Sequence, residues 1–375
     1  MSFHYQPLLA DHAKPPSFEE ARLIRQQARA TGLHPDYWYP VARSGAVRPG
    51  QVISVRFWGR DIAIFRGEDG RVRALEDRCP HRAVKLSLGN VNANDLVCGY
   101  HGWRIGESGR LVGVGHELFG RRLPVCGVDA FPVQERHDLI WIFPGNASNS
   151  SSQSIPAIPE LECEHPWPCA RIDMVFRAHH SILAENINDF THAYLHRRYN
   201  PFVGATIDKC EEIGDKAHIS YATLTGQGRF SKYFVDRSRF ATDRTDLSYE
   251  YPHHFASTRG LIKSWAFVLP IDSRTTQAFF LFYFGAIRLP LLPFQSPRWL
   301  TNLIIQSGKN LTIRPILEQD RMAIEAEQCG YERHFAMPAL ELSPAILLIQ
   351  RLMIRKWKEY VTGAAAPTES SEETP

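Results

Sequence analysis

CPHRAVKLSLGNVNANDLVCGYHGW, residues 79 to 103, contains two cysteines and two histidines in the pattern CxH, sixteen residues, CxxH. Thiolates and imidazoles are ligands of zinc, copper and iron–sulfur clusters, so four of them in two tight pairs predict a metal site. Zinc fingers mostly pair cysteine with cysteine and histidine with histidine. Here each pair holds one of each, which disfavours a structural zinc ion.

One cysteine and one histidine in each pair suit two facing loops that bind a single metal group between them. A Rieske [2Fe–2S] centre has this requirement, because one iron is bound by both cysteines and the other by both histidines. CPHR at 79 to 82 and CGYHGW at 98 to 103 resemble the Rieske domain of the Rieske non-haem iron oxygenases, whose usual text is CPHR and then CPYHGW. Gly99 stands where proline is common. The cluster ligands predicted in this way are Cys79, His81, Cys98 and His101.

A second group of polar side chains lies downstream, in SILAENINDFTHAYLHRRYNP. Glu185, Asp189, His192 and His196 follow one another at offsets of four, three and four, so on one helix they would share a face. Two histidines four apart can chelate a metal, but the residues between them are AYL and lack the glutamate of an HExxH zinc hydrolase. Two histidines and one carboxylate binding iron(II), with positions left open for oxygen and substrate, fit better.

The carboxylate must come from elsewhere in the chain. ILEQDRMAIEAEQ, 316 to 328, offers four acids, and spacing alone does not choose among them: Glu318, Asp320, Glu325 and Glu327. In the resembled family the iron carboxylate is an aspartate on a late helix, commonly written EDxxxxExQ. The resemblance assigns this role to Asp320, although Gln319 replaces the usual glutamate before it.

The resemblance also gives Asp189 a role. In the family the matching aspartate joins an iron histidine to a cluster histidine of the neighbouring subunit, and such a carboxylate fixes the tautomer of the histidine it contacts. The implied electron path runs from His101 or His81 of one chain through Asp189 of the next to His192, with His101 favoured. Transfer between chains implies a homotrimer with closed symmetry.

The chain of 375 residues is long enough for two domains. An N-terminal helical segment over 1–35 precedes short β-rich runs at 36–150, which predict the all-β Rieske domain. NASNSSSQS, 146 to 154, has the composition of a structureless linker. Residues 151–362 predict an α+β catalytic domain with an antiparallel sheet, for which the resemblance implies the helix-grip fold; 363–375 is predicted to be a disordered tail.

Within this plan, helical composition predicts helices over 16 to 33, 181 to 196, about 300 to 328 and 343 to 360. The most apolar run, AFFLFYFGAI at 278 to 287, is too short to span a bilayer and predicts a buried strand. RLPLLPFQSPRWLTNLII, 288 to 305, could line a substrate entrance or touch a membrane, but core packing is the better interpretation.

Composition narrows the class of partner. A net charge of +3 without a long basic run leaves no electrostatic footprint for nucleic acid. Seven cysteines, two of them beside histidines, fit a disulfide framework poorly. The start of the sequence lacks a secretory signal and no stretch reads as transmembrane, so we expect a cytoplasmic protein.

Taken with the resemblance, these features imply a terminal oxygenase. Electrons from NAD(P)H would come from a separate flavin reductase, with or without a ferredoxin, because the chain has no GxGxxG motif. They would pass through the [2Fe–2S] cluster to a mononuclear iron(II), where O2 hydroxylates, dihydroxylates or demethylates a small apolar or aromatic substrate. The rival hypothesis is a Rieske electron-transfer or redox-sensing protein whose second domain only binds a ligand.

Overall fold

The structure, a computed structural model, describes residues 14–196, 202–225, 242–285 and 297–363. Most of the predicted tail and the first part of the predicted N-terminal segment lie outside these ranges. The mixed α+β class predicted from the sequence is confirmed. None of the seven cysteines forms a disulfide within the described ranges.

The first domain consists of short antiparallel strands in three small sheets, ordered β1-β11-β10, β2-β3-β4-β9 and β5-β6-β7-β8. Its strands are β1 (Tyr39–Arg43), β2 (Val52–Phe57), β3 (Arg60–Arg66), β4 (Val72–Glu76), β5 (Asn90–Asn92), β6 (Asp95–Val97), β7 (Arg104–Ile105), β8 (Leu111–Gly113), β9 (Ala130–Phe131), β10 (Val133–Arg136) and β11 (Leu139–Ile142). The predicted runs of β residues therefore form strands. Trp58 and Gly59 both adopt positive φ and close a two-residue turn between β2 and β3.

The second domain contains one seven-stranded antiparallel sheet, ordered β12-β18-β17-β16-β15-β14-β13. Its strands are β12 (Cys169–Phe176), β13 (Phe202–Ile213), β14 (Lys216–Thr225), β15 (Thr242–Glu250), β16 (His253–Thr258), β17 (Ile262–Asp272) and β18 (Thr275–Phe284). In β12 every second residue is buried, the period expected of a strand with one solvated face. The apolar run from residue 278 forms the buried part of β18, as predicted.

Five α-helices are described: α1 (Ile24–Ala30), α2 (Pro159–Glu162), α3 (His180–Asn188), α4 (Arg298–His334) and α5 (Pro344–Thr362). The two late helices occur where the sequence predicts them, and α4 is longer at both ends. The prediction of a helix over 16 to 33 is wrong before Ile24 and after Ala30. The Gln26 side chain accepts hydrogen bonds from the backbone N–H groups of Arg22 and Leu23, which starts the helix at Ile24.

The serine-rich segment at 146–154 is ordered, so the prediction of a structureless linker is wrong. Asp36 accepts hydrogen bonds from the Asn146 backbone N–H and the Asn149 side chain, both 2.7 Å long. The Trp38 indole donates to the Gln153 carbonyl at 3.0 Å. The polar composition of the segment resembles that of a linker, but its side chains and backbone carbonyls form hydrogen bonds that attach it to the first domain.

The two halves of the chain share one hydrophobic core. The buried Trp141 ring of β11 packs edge-on against Phe267 of β17, with ring centroids 4.9 Å apart. At the β2–β3 turn, the backbone N–H groups of Trp58 and Gly59 donate to the carbonyls of Pro270 and Ile271 at 2.8 and 2.7 Å. The domain boundary at residue 150 stays a prediction. No described helix is long and apolar enough to cross a bilayer.

Candidate metal centres

The first centre is formed by two loops with the same backbone geometry. The Cys79 N–H donates to the Val84 carbonyl, and the Ala83 N–H returns a bond to the Cys79 carbonyl. Cys98 makes the matching pair of bonds with the carbonyl of Trp103 and the N–H of Gly102. Ala83 and Gly102 both have positive φ, at 56° and 66°. Each cysteine thus sits at the start of a six-residue turn, although the sequences CPHRAV and CGYHGW differ.

These loops bring the four predicted cluster ligands together. Cys79 and Cys98 are buried, and burial raises the pKa of the Cys79 thiol. The rings of His81 and His101 lie 4.7 Å apart, centroid to centroid. The buried Nδ1 atom of His81 has no hydrogen-bond partner in the described part of the chain. Two buried thiols beside an unsatisfied imidazole nitrogen fit a [2Fe–2S] group with mixed ligands.

Gly99, the departure from the usual CPYHGW text, has a steric cause. A Cβ atom at this position would lie 2.8 Å from the Leu88 carbonyl oxygen. At Gly89, on the facing loop, a Cβ would lie only 1.9 Å from the Val97 oxygen. The backbones approach so closely here that glycine is required at both positions.

The backbone that leads from α3 to the second group of candidate ligands differs from the prediction. The helix predicted over 181 to 196 is wrong beyond Asn188, where α3 ends. Asp189 is extended, and its Oδ1 accepts hydrogen bonds of 2.7 Å from both the backbone N–H and the hydroxyl of Thr191. Such local capping by aspartate competes with helix hydrogen bonds. A short 3₁₀ turn, Thr191–Tyr194, follows, and His192 within it is non-helical.

Because of this break, Glu185 does not share a face with the histidines. Its carboxylate forms a two-pronged, buried ion pair with Arg29 of α1. Gln350 of α5 also donates to Glu185, at 3.1 Å. Glu185 therefore belongs to the packing of the helices.

Three predicted iron ligands do converge. The Oδ1 atom of Asp320, on α4, lies 3.6 Å from His192 Nε2 and 3.2 Å from His196 Nε2. One donor atom from each residue lies within 4.8 Å of the other two. Asp320 Oδ1 is buried and has no partner of good hydrogen-bond geometry among the described residues. Three donor atoms directed at one point, with a carboxylate oxygen otherwise unsatisfied, fit a metal ion.

The other three acids of the 316–328 segment point elsewhere. Glu318 accepts from Arg321 at 2.7 Å, and Glu325 accepts from the backbone N–H of Arg177 at 3.1 Å. Glu327 accepts from Arg29 at 2.8 Å. The geometry therefore makes the choice that spacing alone left open.

Two neighbours orient the histidines. Gln319 Oε1 lies 3.0 Å from His196 Nδ1, which places a proton on Nδ1 and turns Nε2 towards Asp320. Burial lowers the pKa of His196, but the Asp320 carboxylate and the Gln319 hydrogen bond together raise it by more. Asp189 Oδ2 lies 3.8 Å from His192 Nδ1, so the His192 ring stands between two carboxylates. Burial raises the pKa of Asp189, but the nearby His192 side chain and the hydrogen bonds from Thr191 together lower it by more.

Comparison with known proteins identifies the family to which a chain with these two candidate metal centres belongs. Residues 37–118 match the Rieske [2Fe-2S] domain family. A 4beta-methylsterol monooxygenase from Methylococcus capsulatus is 40% identical over 338 residues, which cover 90% of this chain and 92% of that protein. The chain belongs to the Rieske oxygenases. A vanillate O-demethylase oxygenase subunit from a Pseudomonas species is also 40% identical to this Rieske oxygenase, over 36% of this chain and 40% of that one.

Solved structures support the fold of this Rieske oxygenase. Dicamba monooxygenase bound to 3,6-dichlorosalicylic acid has a TM-score of 0.71 at 19% identity, covering 89% of this chain and all of the other. The terminal oxygenase of carbazole 1,9a-dioxygenase from Nocardioides aromaticivorans has a TM-score of 0.66 at 17% identity, covering 89% and 96%. The predicted Rieske β-domain followed by a sheet-rich catalytic domain is confirmed.

Membership of the Rieske oxygenase family defines the class of reaction and the cofactors. This Rieske oxygenase is an oxidoreductase, the terminal oxygenase component, with a Rieske [2Fe–2S] cluster and a mononuclear non-haem iron as cofactors. Rieske oxygenases related to it work with electron-transfer partners. The rival hypothesis, a protein that only transfers electrons or senses a ligand, is not favoured.

Sequence reasoning missed the residues that set the break before His192. The Asn188 side chain donates to the Ala184 carbonyl at 2.7 Å and contacts His254 Nδ1 at 2.9 Å. Tyr221 donates its hydroxyl proton to the Asn188 carbonyl at 3.1 Å. These bonds fix the end of α3 against the sheet of this Rieske oxygenase. His254 and Tyr221 are distant from Asn188 in sequence, so no local pattern could reveal these two contacts.

Proposed function

We propose that this Rieske oxygenase oxidises a methyl group of a methylated sterol or of a similarly large, mainly apolar molecule. The observation that carries the proposal is the extent of the match to the methylsterol monooxygenase, which spans both domains and 90% of the chain. The vanillate O-demethylase subunit matches only 36% of the chain. Substrate specificity is set in the catalytic domain, where the full-length relative is the more informative one.

The roles within the two centres follow from the geometry and the resemblance. His192, His196 and Asp320 would hold the iron, and the Rieske loops would hold the cluster through Cys79, His81, Cys98 and His101. When bound, the iron activates O2, and each hydroxylation consumes one O2, two electrons and two protons, giving the alcohol and water. Two histidines and one carboxylate leave positions open for this chemistry. Gln319 and Asp189 keep the two imidazoles in the orientation that directs Nε2 inwards.

Asp189 would connect neighbouring chains. Its carboxylate contacts His192 and remains partly exposed, with 23% of the side chain accessible. A partly exposed carboxylate that lies 3.8 Å from His192 Nδ1 would also accept a hydrogen bond from the cluster histidine of another chain, which we take to be His101. This arrangement calls for a homotrimer. NAD(P)H electrons would come from a flavin reductase, directly or through a ferredoxin, in the cytoplasm.

The test compares two substrates and, separately, protein variants with and without a candidate iron ligand. We expect the purified oxygenase, with a reductase system, to couple O2 uptake to oxidation of a 4-methylsterol in detergent, and to leave vanillate unchanged. Asp320→Ala should abolish turnover and mononuclear iron binding while the visible spectrum of the cluster persists. Glu318→Ala, a matched loss of a carboxylate on the same helix, should keep both.

Oxidation of vanillate but not of the sterol would refute the substrate class. Retention of mononuclear iron by Asp320→Ala would refute the ligand set. The two outcomes are read from different measurements, so one can fail without the other.

A further inference from the structure

Tyr221, a fully buried residue of β14, contacts the chain on both sides of Asp189. Its hydroxyl donates a hydrogen bond of 3.1 Å to the Asn188 carbonyl, which belongs to the peptide unit that joins Asn188 to Asp189. Its ring stacks on that of Phe190, with centroids 5.5 Å apart and planes inclined by 25°. One side chain thus holds the backbone before and after the carboxylate that faces His192.

A second contact from the sheet holds Asn188 itself. The buried Asn188 amide donates to Nδ1 of His254 on β16 at 2.9 Å, and the His254 ring stacks on Tyr249 of β15 with centroids 4.4 Å apart. Burial lowers the pKa of His254 to about 3, so the ring is neutral and its Nδ1 can accept this bond. Different strands of the sheet therefore fix the peptide that precedes Asp189.

The Tyr221 hydroxyl is in the protonation state that these contacts require. Burial and the negative charge of Asp189 raise the pKa of Tyr221 to about 12, although a hydrogen bond from the Phe190 backbone acts in the opposite direction. The phenol therefore keeps its proton at neutral pH and can donate it to the Asn188 carbonyl.

The position of Asp189 matters because its two oxygen atoms have different neighbours. Oδ1 accepts both hydrogen bonds from Thr191, and Oδ2 lies 3.8 Å from His192 Nδ1. A shift of the backbone on either side of Asp189 would move both oxygens together. Displacements of about 1 Å at a group that orients reacting partners can lower a rate by up to about 100-fold.

We propose that Tyr221 is a positioning residue for electron transfer between the two metal centres, because it holds Asp189 where the carboxylate can face His192 and the cluster histidine of a neighbouring chain at once. The inference rests on the role proposed above for Asp189. One electron leaves the reduced cluster and is consumed at the iron site in the reduction of O2, while Tyr221 gains and loses neither an electron nor a proton. A residue that only caps α3 would leave the rate of this transfer unchanged.

The experiment uses the full-length holoenzyme with a reduced cluster, bound iron(II) and a 4-methylsterol in detergent, and follows reoxidation of the cluster by O2 from its visible absorbance. The rate in Asp320→Ala, without iron, is the background and is subtracted. Tyr221→Phe removes the hydroxyl and keeps the ring, and should slow the iron-dependent rate about tenfold. Asp189→Asn, the reference variant, should slow it about 100-fold. Phe190→Leu, which removes the stacked ring, should act like Tyr221→Phe and replaces it if that variant does not assemble.

A second measurement does not depend on bound iron. The Thr191 N–H donates to Asp189 Oδ1, so its hydrogen exchange reports whether the carboxylate stays in place. In iron-free protein, Tyr221→Phe should speed this exchange roughly fivefold, as expected for the loss of one hydrogen bond. The matched control is Tyr283→Phe, since Tyr283 is equally buried but the strand register places it on the opposite face of the sheet. It should leave both measurements at the parental values.

Parental reoxidation in Tyr221→Phe, with Asp189→Asn slowed and iron content and cluster spectrum intact in both, would overturn the proposal and leave Tyr221 as a cap of α3. Equal slowing in Tyr283→Phe would also overturn it. If Asp189→Asn reacts as fast as the parent, the role proposed for Asp189 fails, and this inference with it. If the parent itself shows no iron-dependent reoxidation, the proposed function fails, and unchanged Thr191 exchange in Tyr221→Phe would then overturn the positioning role separately.

Discussion

The side-chain amide of Gln319 controls which nitrogen of His196 faces the iron site. Its oxygen accepts the Nδ1 proton at 3.0 Å, and this leaves the lone pair on Nε2, 3.2 Å from Asp320. A histidine can bind a metal through either nitrogen, so the bond made by the other nitrogen fixes both tautomer and ring orientation.

We predict that Gln319→Leu, which removes the acceptor, weakens binding of ferrous iron by about 10- to 100-fold. Gln319→Glu keeps an acceptor at the same place and should bind iron at least as well as the parent. Competition with a chelator measures the affinity, and the unchanged cluster spectrum serves as the control. Equal affinity in Gln319→Leu and the parent would remove Gln319 from this role.

At the scale of single residues, the sequence was enough to identify which residues are candidate metal ligands, but it did not predict which side chains orient them. The cluster ligands and Asp320 could be proposed because CPHR, CGYHGW and the late aspartate recur as short motifs. Gln319 was noticed only as a departure from a motif. Its function depends on a contact with His196, 123 positions away, which no local pattern encodes.

Among the elements, α1 is held to the catalytic domain by one buried charge. Arg29 pairs with Glu185 of α3 and Glu327 of α4, and it donates to Ser181. Burial lowers the pKa of Arg29, but the carboxylates of Glu185 and Glu327 together raise it by more. Because α3 leads to His192 and α4 carries Asp320, this contact joins the two elements that supply the iron ligands.

We predict that Arg29→Met lowers the free energy of unfolding by about 3–5 kcal/mol, since Glu185 would be buried without its partner. Arg25→Met is the matched control on the same helix. Arg25 is 29% exposed and lies 3.9 Å from Glu327, so its loss should cost less than about 1 kcal/mol. Urea denaturation of both variants measures the difference, and similar values for the two would contradict the prediction.

The elements also show where pattern reading succeeds and fails. Helices α4 and α5 and strand β18 were predicted because long periodic or apolar runs dominate their segments. The helix over 181 to 196 was predicted from an equally good period but stops at Asn188. There the Asp189 carboxylate binds the Thr191 N–H, and Asn188 is held by His254. Local capping and a long-range contact together override the period.

At the scale of the whole molecule, we propose that the cluster and the iron act in one electron path that crosses between chains at Asp189. Within one chain, Asp189 contacts His192 on its inner side and is partly exposed on its outer side. The sequence predicted both centres, because each depends on short motifs. It could supply their connection only through the family resemblance, since contacts between chains leave no spacing pattern in one sequence.

Mixed oligomers test this claim most directly. One chain carries Asp320→Ala and the other His101→Ala, each with its own affinity tag, and assemblies containing both are purified by the two tags in turn. Each variant alone should be inactive, because it lacks iron or a working cluster. Transfer between chains predicts that the mixed assemblies regain coupled sterol oxidation. If they stay inactive, while metal analysis shows intact clusters in one chain and bound iron in the other, the path does not cross between chains.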